Sequence, residues 1–401
     1  MILNITTIYL ILIIVPIYFY LNGTVYNTSG FESAKVLPLS YYITFLIGLY
    51  VLITKKYKIS FIDIFILLSL IIAIATLTFS ILILDLKTVN LNLFLLYFIP
   101  QVFSYIIGKE ISKNYNLDST IKILSISLCT FISIHFLDTL LNKNIYDAII
   151  NRGTDNIFYF MTIYQKLVSY PLVLSIILFL TLFSNIKYKY IYSSLIFFEI
   201  VVSAAREPLA MLLFMFLLFF LLNIKNISIL KILKVISLLF FSLVLIVLFL
   251  DIEDLYIYNK LMLIFDSSME GYDLSGGRIE QILRFLEYLP NLNIIIGEGF
   301  LISEYFPEGT FHNQWIEYFV KGGLFFFLSM LFIFIFAIKK ALVLSKYDRK
   351  FQLVAIILIT LLLVSFNINT PMRTPYSSII IWLIIGYVSN GINYKKDKIR
   401  L

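Results

Sequence analysis

The sequence predicts an all-α, polytopic integral membrane protein with about twelve transmembrane helices, read as one membrane domain (1–401) with a single large, partly helical loop at 251–321. Three observations predict it: a deficit of polar residues, repeated apolar runs of bilayer length, and basic residues in every second connection. Of 401 residues, 61% are hydrophobic and 14% charged, with a mean hydropathy of +0.96. A soluble domain carries about 25% charged residues. So little polar surface cannot cover a water-soluble globule, which excludes a soluble enzyme, a nucleic-acid binder and a disordered scaffold.

A hydrocarbon core of ~30 Å requires about 20 apolar residues as helix. Twelve runs approach that length: roughly 2–21, 39–54, 60–84, 91–108, 120–141, 167–184, 191–205, 208–223, 235–250, 322–338, 351–367 and 376–390. Their apolarity is continuous rather than alternating, which excludes an outer-membrane barrel. The first run has no basic flank and no small-residue cleavage site, so it reads as a retained span rather than a signal peptide. The connections holding Lys55, Lys109, Lys187, Lys225, Lys339 and Lys395 carry nineteen of the 31 basic residues. They fall on one side, which places both termini in the cytoplasm. The opposite side holds the 71-residue loop 251–321, with half of the 24 acidic residues. A loop of that length is functional or disordered, and its aromatic content and apolar spacing predict order. Cys129, the one cysteine, cannot form an internal disulfide and says nothing of redox compartment.

Chemistry concentrates near that loop. Ser203-Ala204-Ala205-Arg206-Glu207-Pro208 stands where two apolar runs meet, and an arginine at a membrane edge needs a partner or a task. Snorkelling to lipid phosphates is the plain alternative. Glu199, two turns earlier on the same predicted helix face, is placed to pair with Arg206 or to act as a buried acid. In Ser275-Gly276-Gly277-Arg278, followed by Ile279, Ile282, Leu283 and Leu286, the spacing predicts an amphipathic helix that stops before Pro290. Arg278 stands where a capping box would place an acid. A cation there is unfavourable until an anion bridges guanidinium and free amides, which marks a phosphate or diphosphate site; a solvated surface arginine is the alternative, and Arg284 reads as one. Gly297-Glu298-Gly299 and Thr310-Phe311-His312-Asn313-Gln314-Trp315 follow, then Glu317 and Gly322-Gly323. Of the two histidines, His135 reads as an interhelical hydrogen-bonding residue, and His312 as a proton acceptor near neutral pH. No metal cluster, P-loop or dinucleotide fingerprint is visible.

In this order the motifs resemble the O-antigen polymerase and ligase superfamily of bacterial inner-membrane glycosyltransferases. The residues that carry the resemblance are Ser203-Ala-Ala-Arg206, Gly277-Arg278, Pro290 with Gly297-Glu-Gly299, His312-Asn313-x-Trp315 and Gly322-Gly323. It covers roughly 190–335 as motifs and the whole chain as topology. Where the family often shows Ser-Arg directly, this chain reads Ser-Ala-Ala-Arg. The resemblance implies a periplasmic loop and glycan transfer from undecaprenyl diphosphate, without cofactor or essential metal. Arg206 and Arg278 would hold the donor diphosphate, and His312 would deprotonate or orient the acceptor hydroxyl. Glu199, Glu298, Asn313 and Glu317 would orient the histidine or bind sugar, while Arg152, Arg284 and Arg373 would contact diphosphate or glycan. The implied partners are lipid-linked oligosaccharide donor and acceptor, membrane lipid and a chain-length regulator, with no nucleic acid. Polymerase is the favoured member, with the ligase that transfers glycan to lipid A core as its alternative. A lipid-linked oligosaccharide flippase and a non-catalytic assembly subunit are the readings from other classes.

Overall fold

The structure, a computed structural model, describes residues 5–12, 39–83, 91–142, 169–202, 206–223, 278–299, 313–366, 372 and 377–390. Among these every regular element is helical. In chain order they are α1 (Ile5–Leu12), α2 (Leu39–Thr54), α3 (Phe61–Ile83), α4 (Leu91–Phe98), a π-helical turn (Ile99–Ser104) and α5 (Tyr105–Asn114). Then come α6 (Leu117–Asn142), α7 (Ser169–Phe183), α8 (Lys189–Val202), α9 (Arg206–Asn223) and α10 (Arg278–Tyr288). A 3-10 turn (Leu289–Asn291), α11 (Gln314–Ser345), α12 (Lys350–Val364) and α13 (Ser377–Ser389) complete the described chain. Helices therefore occupy the predicted apolar runs wherever the chain is described; the run at 235–250 lies outside the described residues. Two of them, over Phe61–Phe79 and Gln314–Ser345, are long and apolar enough to cross a membrane.

The chain forms two compact units, one of Met1–Leu117 with Gly277–Leu401 and the other of Asp118–Gly276. In the second, α7 packs on both α8 and α9. Ser125 and Thr181 share a 2.7 Å hydroxyl hydrogen bond across α6 and α7, and the rings of Phe179, Phe183, Phe216 and Phe219 interlock. The described part of α8 ends at Val202 and that of α9 begins at Arg206; residues 203–205, and with them the predicted alignment of Glu199 with Arg206, lie outside the described residues. Pro208 falls in the first described turn of α9, where proline is tolerated.

In the first unit the predicted span 91–108 is interrupted. Pro100 lacks an amide hydrogen, and the six residues Ile99–Ser104 take the wider π geometry instead. The turn leaves Gln101 fully buried, its Nε2 donating to Ser69 Oγ at 2.5 Å. Immediately after it, α5 crosses α13 at backbone contact. A Cβ on Gly108 would lie 2.2 Å from the Leu383 carbonyl oxygen, and one on Gly386 would lie 2.1 Å from that of Tyr105. Small residues are what permit such approach between membrane helices.

Near this crossing, at the lysine-rich end, a buried cation ties helices together. Lys109, 3% exposed, donates to Asp63 at 2.7 Å and to the Lys58 carbonyl at 2.8 Å, and stands over the Tyr57 ring. The Tyr57 hydroxyl donates to the same carboxylate. Burial, then the neighbouring Tyr105 and Asp63, push the Tyr57 phenol well above its ordinary range, so it stays a donor. Asn390 Nδ2 donates to the Lys109 carbonyl at 3.1 Å, and Lys340 donates to the Ser389 carbonyl at 2.7 Å.

Two outcomes follow from this packing. Asp63→Asn strands a buried ammonium and should cost about 3–5 kcal/mol, read as a lower unfolding midpoint in detergent. Gly386→Val forces α5 from α13 and should cost at least about 1–3 kcal/mol, whereas Ser345→Ala at the exposed end of α11 should leave the midpoint in place.

Candidate functional site at a broken helix

Asn313 begins the site by starting α11. Its backbone is extended (φ −134°, ψ 108°), and its side-chain oxygen accepts from the amides of Trp315 and Ile316 at 3.0 and 3.1 Å. That is an N-cap, which satisfies donors that otherwise have no helical partner. Asn313, read from sequence as a sugar or histidine contact, thus has its carbonyl committed to the helix. Gln314 accepts from the Met372 amide at 3.0 Å, and its own amide donates to the Ser365 carbonyl at 2.9 Å.

α11 does not run straight. Gly323 has φ 71° and ψ −172°, a region open essentially to glycine alone. The Trp315 ring lies 6.1 Å from Phe327 and 5.9 Å from Phe334, and Tyr318 lies 5.5 Å from Phe326. In a straight helix the separation from 315 to 334 would be ~28 Å. Residues 314–322 therefore fold back along residues 324–345, and Gly322-Gly323 is the bend.

The loop after α10 holds that bend. The amides of Glu298 and Gly299 donate to the carbonyls of Val320 and Lys321 at 2.7 and 2.8 Å, and the Leu324 amide donates to the Ile294 carbonyl at 2.8 Å. These are backbone groups freed by the break, and burial obliges them to find partners. Close approach requires glycine on both sides: a Cβ on Gly297 would lie 2.4 Å from the Val320 oxygen, and one on Gly323 would lie 2.1 Å from that of Ile295. The two glycine motifs that looked like separate signals in the sequence are one interlocked structure.

The folded-back limb is sealed. Gln314, Trp315, Glu317, Tyr318, Val320 and Lys321 are all buried, and Trp315 Nε1 donates to the Leu362 carbonyl at 3.1 Å. Glu317 is completely buried and accepts a hydrogen bond from the Tyr97 hydroxyl on α4. Ionisable groups this deep among apolar helices are rare and are retained for function. Tyr97 and the buried cation Lys321 escaped the sequence reading. Tyr97 sits in an unbroken apolar run, and Lys321 looks like an ordinary loop lysine until the bend buries it.

α10 flanks this limb. It covers the predicted amphipathic segment and ends as expected, in a 3-10 turn containing Pro290. Phe285, Tyr288 and Leu289 join Leu292 against Ile316, Phe319 and Val320, while Ile282, Leu283 and Leu286 of the predicted apolar stripe are exposed. Arg278 is the first residue of α10 and Arg206 the first of α9; their side chains lie outside what is described. Arg284 pairs with Glu280 one turn back on an exposed face, the solvated role its spacing suggested. Glu298 sits at the bend, and Glu199, 3% exposed, is buried within the other unit. His312, Arg152, Arg373 and the cap candidate Ser275 lie outside the described residues, as do the side chains of His135 and Asp138.

The structure thus brings Asn313, Glu317, Glu298 and the helix opened by Arg278 onto one bent element. Among the described residues, no three His, Cys, Asp or Glu side chains gather as a metal centre would require. No protein-family model matches this chain, and no curated protein matches it.

Gly323→Ala should cost about 1–3 kcal/mol in backbone strain alone, with more from the collision at Ile295. Hydrogen exchange would show the Glu298 and Gly299 amides losing protection. Tyr97→Phe removes one partner of a buried carboxylate and should lower stability by about 1–3 kcal/mol, measured by thermal unfolding in detergent.

Proposed function

We propose that the protein is a glycan polymerase of the O-antigen type, a multi-pass enzyme of about twelve spans in a bacterial inner membrane with its termini cytoplasmic and its active site periplasmic. It would transfer a growing glycan from undecaprenyl diphosphate onto a lipid-linked repeat unit. The observation that carries this reading is the bent α11. On it meet three of the motif segments on which the resemblance rests: the segment after His312 begins it, Gly322-Gly323 bends it, and the glycine loop is bonded to the bend.

In the proposed reaction an acceptor sugar hydroxyl attacks the donor's anomeric carbon. A new glycosidic C–O bond forms, the bond from that carbon to the diphosphate oxygen breaks, and the polyprenyl diphosphate leaves with the electron pair. His312 takes the hydroxyl proton. Arg278 stabilises charge growing on the leaving group, the task that the resemblance also implies for Arg206, since a diphosphate needs cations more than a proton donor, and fixed donors of this kind matter by about 2.7–4 kcal/mol each. Glu317, held by Tyr97, supports the limb on which the segment after His312 is anchored. Arg152 and Arg373 are further contacts for diphosphate or glycan.

One observation favours a second reading, a flippase of lipid-linked oligosaccharide. A helix broken beside a buried carboxylate is a device that transporters use at their binding sites. The two readings separate in vesicles: purified protein given lipid-linked repeat units alone elongates them if it is a polymerase, and moves them between leaflets unextended if it is a flippase. A product that appears only when lipid A core is added indicates the ligase. Within the polymerase reading, Arg278→Ala and His312→Ala should each lower polymer formation by about 10²–10³-fold or more at unchanged protein level. A wild-type ladder of chain lengths in both variants overturns the site assignment.

A further inference from the structure

The surface of α10 divides into three strips. One packs against α11 through Phe285, Tyr288 and Leu289. A second is charged and exposed, with Glu280 and Glu287 outermost and Arg284 paired to Glu280. The third is apolar and also exposed: Ile282, Leu283 and Leu286 are 39%, 54% and 54% accessible. Just beyond the helix, Ile294 and Ile295 are 49% and 59% accessible. Water would not favour so many large aliphatic side chains in one patch.

Where the patch sits identifies what covers it. The Ile294 carbonyl is bonded to the Leu324 amide, and the next residue, Phe325, begins the exposed apolar row of α11 that continues through Phe332 and Ile335. The patch is thus continuous with the outward face of a helix apolar enough to cross a bilayer. Depth agrees. From Lys339 to the bend the helix rises ~24 Å, most of one hydrocarbon thickness. α10 packs against Ile316, Phe319 and Val320, on the limb that turns back from the bend, and so lies toward the bilayer edge remote from Lys339 and Lys340.

We propose that α10 is an interfacial membrane helix. It lies along the bilayer surface with Ile282, Leu283 and Leu286 among the acyl chains and Glu280 and Glu287 in water, the arrangement expected of an amphipathic helix at a headgroup boundary. The partner is lipid itself, and the inference stands apart from the glycosyl-transfer reading. It places the helix opened by Arg278 at headgroup depth.

The test uses the full chain in phosphatidylcholine and phosphatidylglycerol vesicles. Nitroxide labels are placed at Leu283→Cys and Leu286→Cys, and at Glu280→Cys and Glu287→Cys on the same helix. Cys129 is buried, so the unsubstituted chain treated in parallel sets the background. Labels at 283 and 286 should collide more with oxygen, which concentrates in acyl chains, than with a water-soluble nickel chelate; labels at 280 and 287 should show the reverse. Equal access of the chelate to all four positions overturns the proposal, because the patch then faces water. Shielding of 283 and 286 from both reagents also overturns it, because protein rather than lipid then covers the face.

Discussion

The carbonyls of Val320 and Lys321 lose their helical donors where α11 turns at Gly323, and in an apolar surrounding water cannot replace them. The amides of Glu298 and Gly299 do so instead. This exchange between a loop and a broken helix is what the rest of the first unit depends on. Without it residues 314–322 could not fold back, Glu317 would not reach Tyr97, and Trp315 would not close against Phe334 and the end of α12. The same loop ends α10 and fixes it beside the bend. One set of backbone hydrogen bonds therefore determines where a buried carboxylate, an interfacial helix and the segment following His312 stand.

The helices were legible because a bilayer-length apolar run leaves few alternatives, and each described run is helical. Composition likewise pointed to a membrane, and two of the described helices are long and apolar enough to cross one. The interruptions were less legible. Pro100 stands openly in the run 91–108, yet whether a proline kinks, ends or widens a helix depends on neighbours such as Ser69, which accepts from the adjacent Gln101.

At the site, Gly297, Gly299, Gly322 and Gly323 were conspicuous individually, and their mutual engagement was not. Sequence spacing carries no information about which two loops meet across 25 residues. The amphipathic period of 278–288 correctly foretold α10 but left open what its apolar stripe meets: hydrophobic periodicity cannot distinguish contact with protein from contact with lipid. That ambiguity is specific to membrane proteins, where both environments reward the same side chains.

At the opposite end of the first unit, Lys109 joins α5 to the base of α3, Asn390 joins the residue after α13 to α5, and Lys340 joins α11 to α13. With Gly108 and Gly386 in backbone contact beside them, four helices share one clamped floor. None of α3, α5, α11 and α13 can shift at this floor without breaking a buried contact of another, so a disturbance of any one of them there is felt by all four.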